Sequence, residues 1–366
     1  MLLSSSSSFF LLPLLAATAQ AAQSNVPSTL GNILANTHQS PLYSYPTDLT
    51  RGIVPVKIHS HNDYWRDVPF YSGSLLPPRL PFPILPPWIR TTGEVQRADS
   101  GELALSVGAI SVEADVWLYN ETLYVGHERS ALTAERTLEA LYIEPILDTL
   151  RRLNPQTPFV TSPTKNGVFD TDNEQTLYLW IDIKTDSATT FPQVVKALEP
   201  LRQANYLTTL NTTADPSSST PVPVPGPITV IGTGNTALSD ILSLVPTRDI
   251  FYDAPLPLLS LASSSSSSRD TKDQNITSST SPIASTNFAT QFGRVTNTTL
   301  NATQLTKLRE QIHSAHDLGI GVRYWDTPAW PVSTRNGLWR QLCDEGVDLL
   351  NVDDLLAGSG LGEEVW

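Results

Sequence analysis

Eight short apolar runs recur along the chain with helix-like segments between them, and this alternation is what most constrains the fold. The runs are VKIHSHN (56–62), AISVEADVWL (109–118), LYLWIDIK (177–184), ITVIGTG (228–234), DIFYDAP (249–255), NFATQFG (287–293), GIGVRYWD (319–326) and VDLLNVDD (347–354). Segments such as TLEALYIEPILDTLRRL and TQLTKLREQIHSAHDLG read as the intervening helices. Regular strand–helix alternation implies βα units and a parallel sheet. Eight such units in 366 residues predict an α/β fold, a (β/α)8 TIM barrel.

Three stretches interrupt the alternation and read as loop insertions, near 71–101, 211–227 and 257–286. The first carries LLPPRLPFPILPPWIR and is expected to pack on the barrel wall or to form a lid or interfacial patch; the other two are Ser/Thr-rich. LYVGH (123–127) reads as a hairpin arm after the second strand, with Asn120 in its turn. Residues 1–21 read as a cleaved signal peptide, with an apolar run followed by Ala19-Gln20-Ala21, a short uncleaved anchor being the alternative because no Lys or Arg precedes the run; 22–50 read as an N-terminal segment and 51–366 as the barrel domain. Sequons at Asn120, Asn211, Asn275, Asn297 and Asn301 agree with a secretory route, secreted or in an endomembrane lumen. No later run reaches the roughly 20 apolar residues of a membrane span, so no transmembrane span is expected in the mature chain. The single cysteine, Cys343, cannot form an intramolecular disulfide and reads as a buried helix residue. Trp88 and Trp339 read as packing residues, and Trp65 as a residue of the cleft.

A formal net charge of −13 argues against nucleic acid as partner and favours a bound cation. In a strand, residues i and i+2 share a face. His59 and His61 therefore point together, as do Glu113 and Asp115, and Asp182 and Lys184. All lie toward the C-terminal ends of early strands, where barrel enzymes keep their active sites. Three carboxylates gathered there are costly to bury unless a cation or protonation compensates, and an all-oxygen set suits a hard ion, Mg²⁺ or Ca²⁺, of which Mg²⁺ is the expected cofactor. Surface pairing with Lys or Arg is the alternative for any one of them. His61 and His127 are placed to act as general base and acid.

At these positions HSHNDYW, SVEADVWL, LYVGH, WIDIKT and GVDLLNVDDL resemble the phosphodiesterase superfamily of glycerophosphodiester phosphodiesterases, bacterial phosphatidylinositol-specific phospholipases C and spider-venom sphingomyelinase D enzymes. They resemble most the fungal altered inheritance of mitochondria protein 6 family, over residues 50 to 356. The resemblance implies a PLC-like phosphodiesterase barrel. It implies that His61 and His127 are catalytic, and that Glu113, Asp115 and Asp182 are metal ligands. Lys184, Trp325 and Asn62 would contact a phosphodiester or phospholipid substrate. The sequence departs from the wider superfamily at Asn62-Asp63, where glycerophosphodiesterases have Arg-Gly, and at His127-Glu128, where the second residue is Asp. Asp182 stands where many have Glu, as in the sphingomyelinase-D-like pattern.

The expected activity is metal-dependent phosphoric diester hydrolysis. Two other readings stay open. His59-x-His61 also suits a metal-dependent amidohydrolase, although the remaining histidines, including His313 and His316, read as lying away from the site. A secreted barrel that has lost catalysis and binds lipid headgroups or a protein partner is the third.

Overall fold

The computed structural model describes residues 50–61, 104–160, 162, 164–213, 222–264 and 276–360, all within one compact unit, Leu49–Trp366. Its strands are β1 (Val56–Ser60), β2 (Ala109–Tyr119), β3 (Thr122–Val125), β4 (Leu177–Ile183), β5 (Leu210–Asn211), β6 (Ile228–Gly234), β7 (Thr247–Arg248), β8 (Ile250–Tyr252), β9 (Ala254–Pro255), β10 (Ile283–Asn287), β11 (Gly321–Trp325) and β12 (Leu349–Val352). The α-helices are α1 (Glu144–Leu153), α2 (Ser187–Ala197), α3 (Glu199–Gln203), α4 (Leu238–Leu242), α5 (Leu256–Ser264), α6 (Phe288–Phe292), α7 (Ala302–His316), α8 (Val332–Asp344) and α9 (Leu355–Ser359).

The main sheet runs β8-β6-β4-β2-β1-β12-β11-β10-β9, with parallel pairing throughout this path. Its two ends are one piece of chain, because β8 and β9 are separated only by Asp253. β8 pairs with β6 and β9 with β10, so the path closes on itself as a barrel of eight staves. The expected (β/α)8 architecture is thus the observed one.

The staves obey the alternation that their sequences imply. Val112, Ala114, Val116, Leu179, Ile181, Ile183 and Val230 are buried in the apolar core. The intervening positions point into the barrel, and many are polar: His59, Ser111, Glu113, Arg323 and Asn351 are all buried. A barrel interior is ordinarily filled by layers of branched apolar side chains. Here that filling is replaced by a hydrogen-bonded polar set, which ties the fold directly to the site.

β3 folds back on β2 in antiparallel register, Val116 opposite Val125. The turn is Asn120-Glu121, with φ 47° and 64°, the left-handed pair that a two-residue hairpin turn demands. The arm and its turn match the expectation for LYVGH.

The sixth stave differs. The sequence pointed to 287–293, whereas the strand is β10, 283–287, and 288–292 form helix α6. Phe288 and Phe292 are a helical i,i+4 pair with ring centroids 4.8 Å apart, and Asn287 caps the helix by accepting from the Thr290 N–H at 2.7 Å. The apolar spacing in NFATQF is helical, not the alternation of a strand. The stretch near 257–286 accordingly includes most of α5 and the start of β10. Cys343 is another correction: it lies exposed on α8, while Leu338, Trp339 and Leu342 take the buried face. The 71–101 stretch, Trp65 and Trp88 lie outside the described residues.

Gly108 leads into β2 at φ +85°, and a Cβ there would overlap the carbonyl oxygen of Val54 just before β1. Gly108→Ala is expected to cost about 2 kcal/mol by combining a left-handed conformation with a backbone clash. Urea unfolding should show a lower midpoint with an unchanged slope; a wild-type midpoint would contradict this packing.

Candidate active site

At the floor of the site lies Arg323, on β11. Its Nη1 is 2.5 Å from His59 Nε2, 3.3 Å from Glu113 Oε2 and 3.2 Å from Asn351 Oδ1, while Nε donates to Ser285 Oγ at 3.1 Å. The guanidinium carbon sits 4.2 Å from the Trp180 ring centroid. His59 Nδ1 is 2.7 Å from Ser111 Oγ, and Nε2 is 2.8 Å from Glu113 Oε2. Burial pushes the His59 pKa down to about 3, reinforced by the Arg323 charge, so this ring is neutral at physiological pH. Burial also acts to protonate Glu113, but Arg323 and the His59 contact outweigh it and hold the carboxyl well below its usual range.

One layer higher the strands bring Asp115, on β2, opposite Asp182, on β4. Lys184 Nζ reaches Asp115 Oδ1 at 2.9 Å and Asp182 Oδ2 at 2.6 Å. Burial resists the charge on Lys184, yet the two carboxylates outweigh it and raise its pKa, so the ammonium stays charged. Burial and the nearby Glu113 charge raise both Asp182 and Asp115, the latter to about 7, against the pull of Lys184. Asp182 Oδ1 is buried with no hydrogen-bond partner. Gly234, at φ +66°, lies against that oxygen so closely that a Cβ would overlap it.

Glu113, Asp115 and Asp182 each offer an oxygen, and these atoms lie within 4.8 Å of one another. Lys184, Arg323 and His59 engage one oxygen of each carboxylate, and Oδ1 of Asp182 is left without a partner, against Gly234. An all-oxygen donor set with an unsatisfied buried anion fits a hard divalent ion, and these three residues can hold one.

His61 follows β1 directly and is half-buried; its Nδ1 is 2.8 Å from Asp353 Oδ1. Burial depresses the imidazolium, but the Asp353 hydrogen bond and the charges of Glu113 and Asp353 reverse this and raise its pKa. His127, exposed at the end of the β3 arm, presents its ring edge-on to His61 with centroids 6.4 Å apart. The Gly126 N–H donates to the Asp115 carbonyl at 3.0 Å, and Trp117 Nε1 donates to the Gly126 carbonyl at 2.6 Å, which docks the arm beside the carboxylates. A cavity of 480 Å³ opens over this assembly, bounded by His61, His127, Asp182, Lys184, Thr233, Arg323 and Trp325 among others.

The structure thus brings together His61, His127, Glu113, Asp115, Asp182, Lys184 and Trp325. Asn62 lies outside the described residues, as does Asn275. His313 and His316 lie on α7, and His316 pairs with Asp348 at the opposite, N-terminal end of β12. Sequence reasoning missed Arg323, Asn351, Asp353, Ser285 and Asp253. Asp253, in the gap between β8 and β9, accepts from Thr233 Oγ1 at 2.8 Å; burial raises its pKa to about 6. The i,i+2 rule applied to VRYW and NVDD would have found Arg323 with Trp325, and Asn351 with Asp353.

The model of the AIM6-like phosphodiesterase domain matches residues 47–75 and 102–253, a span that holds both histidines and all three carboxylates. The altered inheritance of mitochondria protein 6 homolog of Arthroderma benhamiae is 50% identical over 90% of this chain and 91% of its own. The Eremothecium gossypii protein of that name is 34% identical over 87% of this chain and 73% of its own. One from Saccharomyces cerevisiae is 30% identical over 88% and 74%. Among solved structures, a phosphatidylinositol-specific phospholipase C from Listeria monocytogenes covers 71% of this chain and 80% of that chain, at 12% identity. The TM-score of that superposition is 0.36. With half of its residues shared along nine-tenths of both sequences, the chain belongs to the altered inheritance of mitochondria protein 6 family.

Proposed function

We propose that this protein is a metal-dependent phosphoric diester hydrolase acting on a glycerophosphodiester or phospholipid-type substrate. The observation that carries the reading is the orphan carboxylate oxygen of Asp182 within the Glu113–Asp115–Asp182 cluster, next to two histidines at the mouth of one cavity. Mg²⁺ suits the site ahead of Ca²⁺. A bound divalent ion supplies Lewis-acid stabilisation of charge on phosphoryl oxygens.

Charge supports a phosphodiester as substrate. Three carboxylates against Lys184 and Arg323 leave one net negative charge, and a divalent ion converts it to one positive, which a singly charged phosphodiester neutralises. Lys184, fixed by Asp115 and Asp182, holds a positive charge where negative charge grows on the reacting group. His61, oriented by Asp353, and His127 divide the proton transfers: one takes the proton of the attacking water or hydroxyl, the other protonates the leaving alcohol. Trp325 borders the cavity and offers its indole to the alcohol portion. The amidohydrolase reading loses its basis, because both ring nitrogens of His59 are engaged by Ser111, Glu113 and Arg323 rather than free to bind a metal. For the secretory route, Asn120, Asn211, Asn297 and Asn301 are exposed, as glycan acceptors require. A glycosidase-sensitive mass shift of the protein recovered from medium or a membrane lumen would test that setting.

Hydrolysis of glycerophosphocholine or lysophosphatidylcholine should require Mg²⁺ and cease with EDTA. His61→Ala should lose at least about 100-fold in kcat, the scale of removing a general acid–base, and Asp182→Asn should lose turnover together with metal affinity; wild-type turnover in folded His61→Ala would overturn the reading. Asp353→Asn should move the His61 titration, followed by NMR of the ring proton, to lower pH, since the hydrogen bond that raises it is weakened. No displacement would remove Asp353 from the role given it. Metal affinity measured by calorimetry should weaken as pH falls through about 7, where the Asp115 carboxyl takes up a proton that competes with the ion. Affinity independent of pH between 6 and 8, on the order of the carboxyl's titration range, would exclude Asp115 as a ligand.

A further inference from the structure

The large apolar side chains that are exposed among the described residues fall into two sets. Val54, Phe159, Val160, Val222, Val224, Val245 and Leu318 lie in segments that lead into strands, on the N-terminal face of the barrel. Trp325, at the end of β11, Trp330, in the loop after it, and Val332 and Leu356, in the first turns of α8 and α9, lie on the C-terminal face where the cavity opens. Both tryptophans belong to the second set, and Trp330 is 78% exposed.

This rim is braced. Trp339 Nε1 donates to Thr327 Oγ1 at 3.3 Å, and the Arg335 guanidinium lies 4.7 Å from the Trp339 ring centroid. Arg335 Nη1 also donates to Asp354 Oδ2 at 2.8 Å, which joins the start of α8 to the start of α9. Asn287 Nδ2 donates to Asp326 Oδ2 at 2.8 Å, holding the first residue after β11 at φ 60°. Trp330, in the loop after β11, and Val332, at the start of α8, are thus exposed on a braced rim beside a cavity lined by charged side chains such as Glu113, Asp182, Lys184 and Arg323.

We infer that the loops after β11 and β12 seat the barrel on a zwitterionic phospholipid surface, so that the cavity takes its phosphodiester from a headgroup at that surface. This rests on the phosphodiesterase reading for the cavity. The occupant has to offer a phosphodiester to the floor and apolar material to the rim at once, and a lipid–water interface does both over a few ångströms. Tryptophan favours that boundary because its ring is apolar and its N–H is polar. Charge selects the kind of surface: the same loops carry Asp326, Asp353 and Asp354 against Arg335, which pairs with Asp354, so an acidic excess remains, and the chain's net charge is −13. An anionic bilayer would repel such a face, whereas a zwitterionic one does not.

The experiment is cosedimentation of the full-length protein with phosphatidylcholine vesicles, and with vesicles in which part of the lipid is phosphatidylserine. Wild type should sediment with the first and less with the second. Trp330→Ala, and separately Leu356→Ser, should weaken vesicle binding, Trp330→Ala by about tenfold, the scale of leaving part of one indole in water. Metal-dependent hydrolysis of soluble bis(p-nitrophenyl) phosphate should be unchanged in both variants. Failure of wild type to sediment, equal binding by Trp330→Ala, or tighter binding to the serine-containing vesicles overturns the inference. Vesicle binding is read without turnover. A protein inert on the soluble diester but lost from vesicles with Trp330→Ala would therefore sustain the docking surface while removing the hydrolase reading.

Discussion

A guanidinium buried in the barrel is the interaction on which the rest of the site depends. Desolvation raises the pKa of Glu113, and Arg323, stacked on Trp180 and in contact with His59, Asn351 and Ser285, outweighs it and holds the carboxyl well below its usual range. A buried ion pair of this kind contributes little net stability against an apolar filling, and losing one partner strands the other. Its value here is electrostatic. The negative charge held at Glu113 contributes to raising His61, Asp115 and Asp182 alike.

Two layers result. The lower one, with His59, Ser111, Glu113, Asn351 and Arg323, is buried and hydrogen-bonded, and its Glu113 and Arg323 also reach the cavity above. The upper one is left incomplete. Lys184 bridges Asp115 and Asp182 through one oxygen each, Gly234 gives room to the remaining oxygen of Asp182, and His61 and His127 stand at the cavity mouth. A rigid, satisfied floor beneath an unsatisfied carboxylate cluster is what a preorganised ion site requires.

The sequence disclosed the parts that local pattern governs. Alternation in SVEADVW and WIDIK put Glu113, Asp115 and Asp182 on inward faces, and register then placed Asp115 opposite Asp182. The LYVGH arm was legible because a two-residue Asn-Glu turn between apolar runs is a local event. The partners of those residues were not, because they come from across the barrel: Arg323 is 264 positions from His59, and Asp353 is 292 from His61. Pairings at that separation depend on closure, which no window of sequence contains. The sixth stave was misplaced for a local reason, since NFATQF has its two phenylalanines at helical spacing while the true strand, IASTN, is short and modestly apolar.

The proposed chemistry depends on a divalent ion held by Glu113, Asp115 and Asp182. Anomalous diffraction from crystals grown with Mn²⁺ would test it most directly. The account predicts one strong peak in contact with oxygens of all three carboxylates, including Oδ1 of Asp182. Crystals that show no peak there, with Lys184 still bridging Asp115 and Asp182 at saturating Mn²⁺, would contradict it.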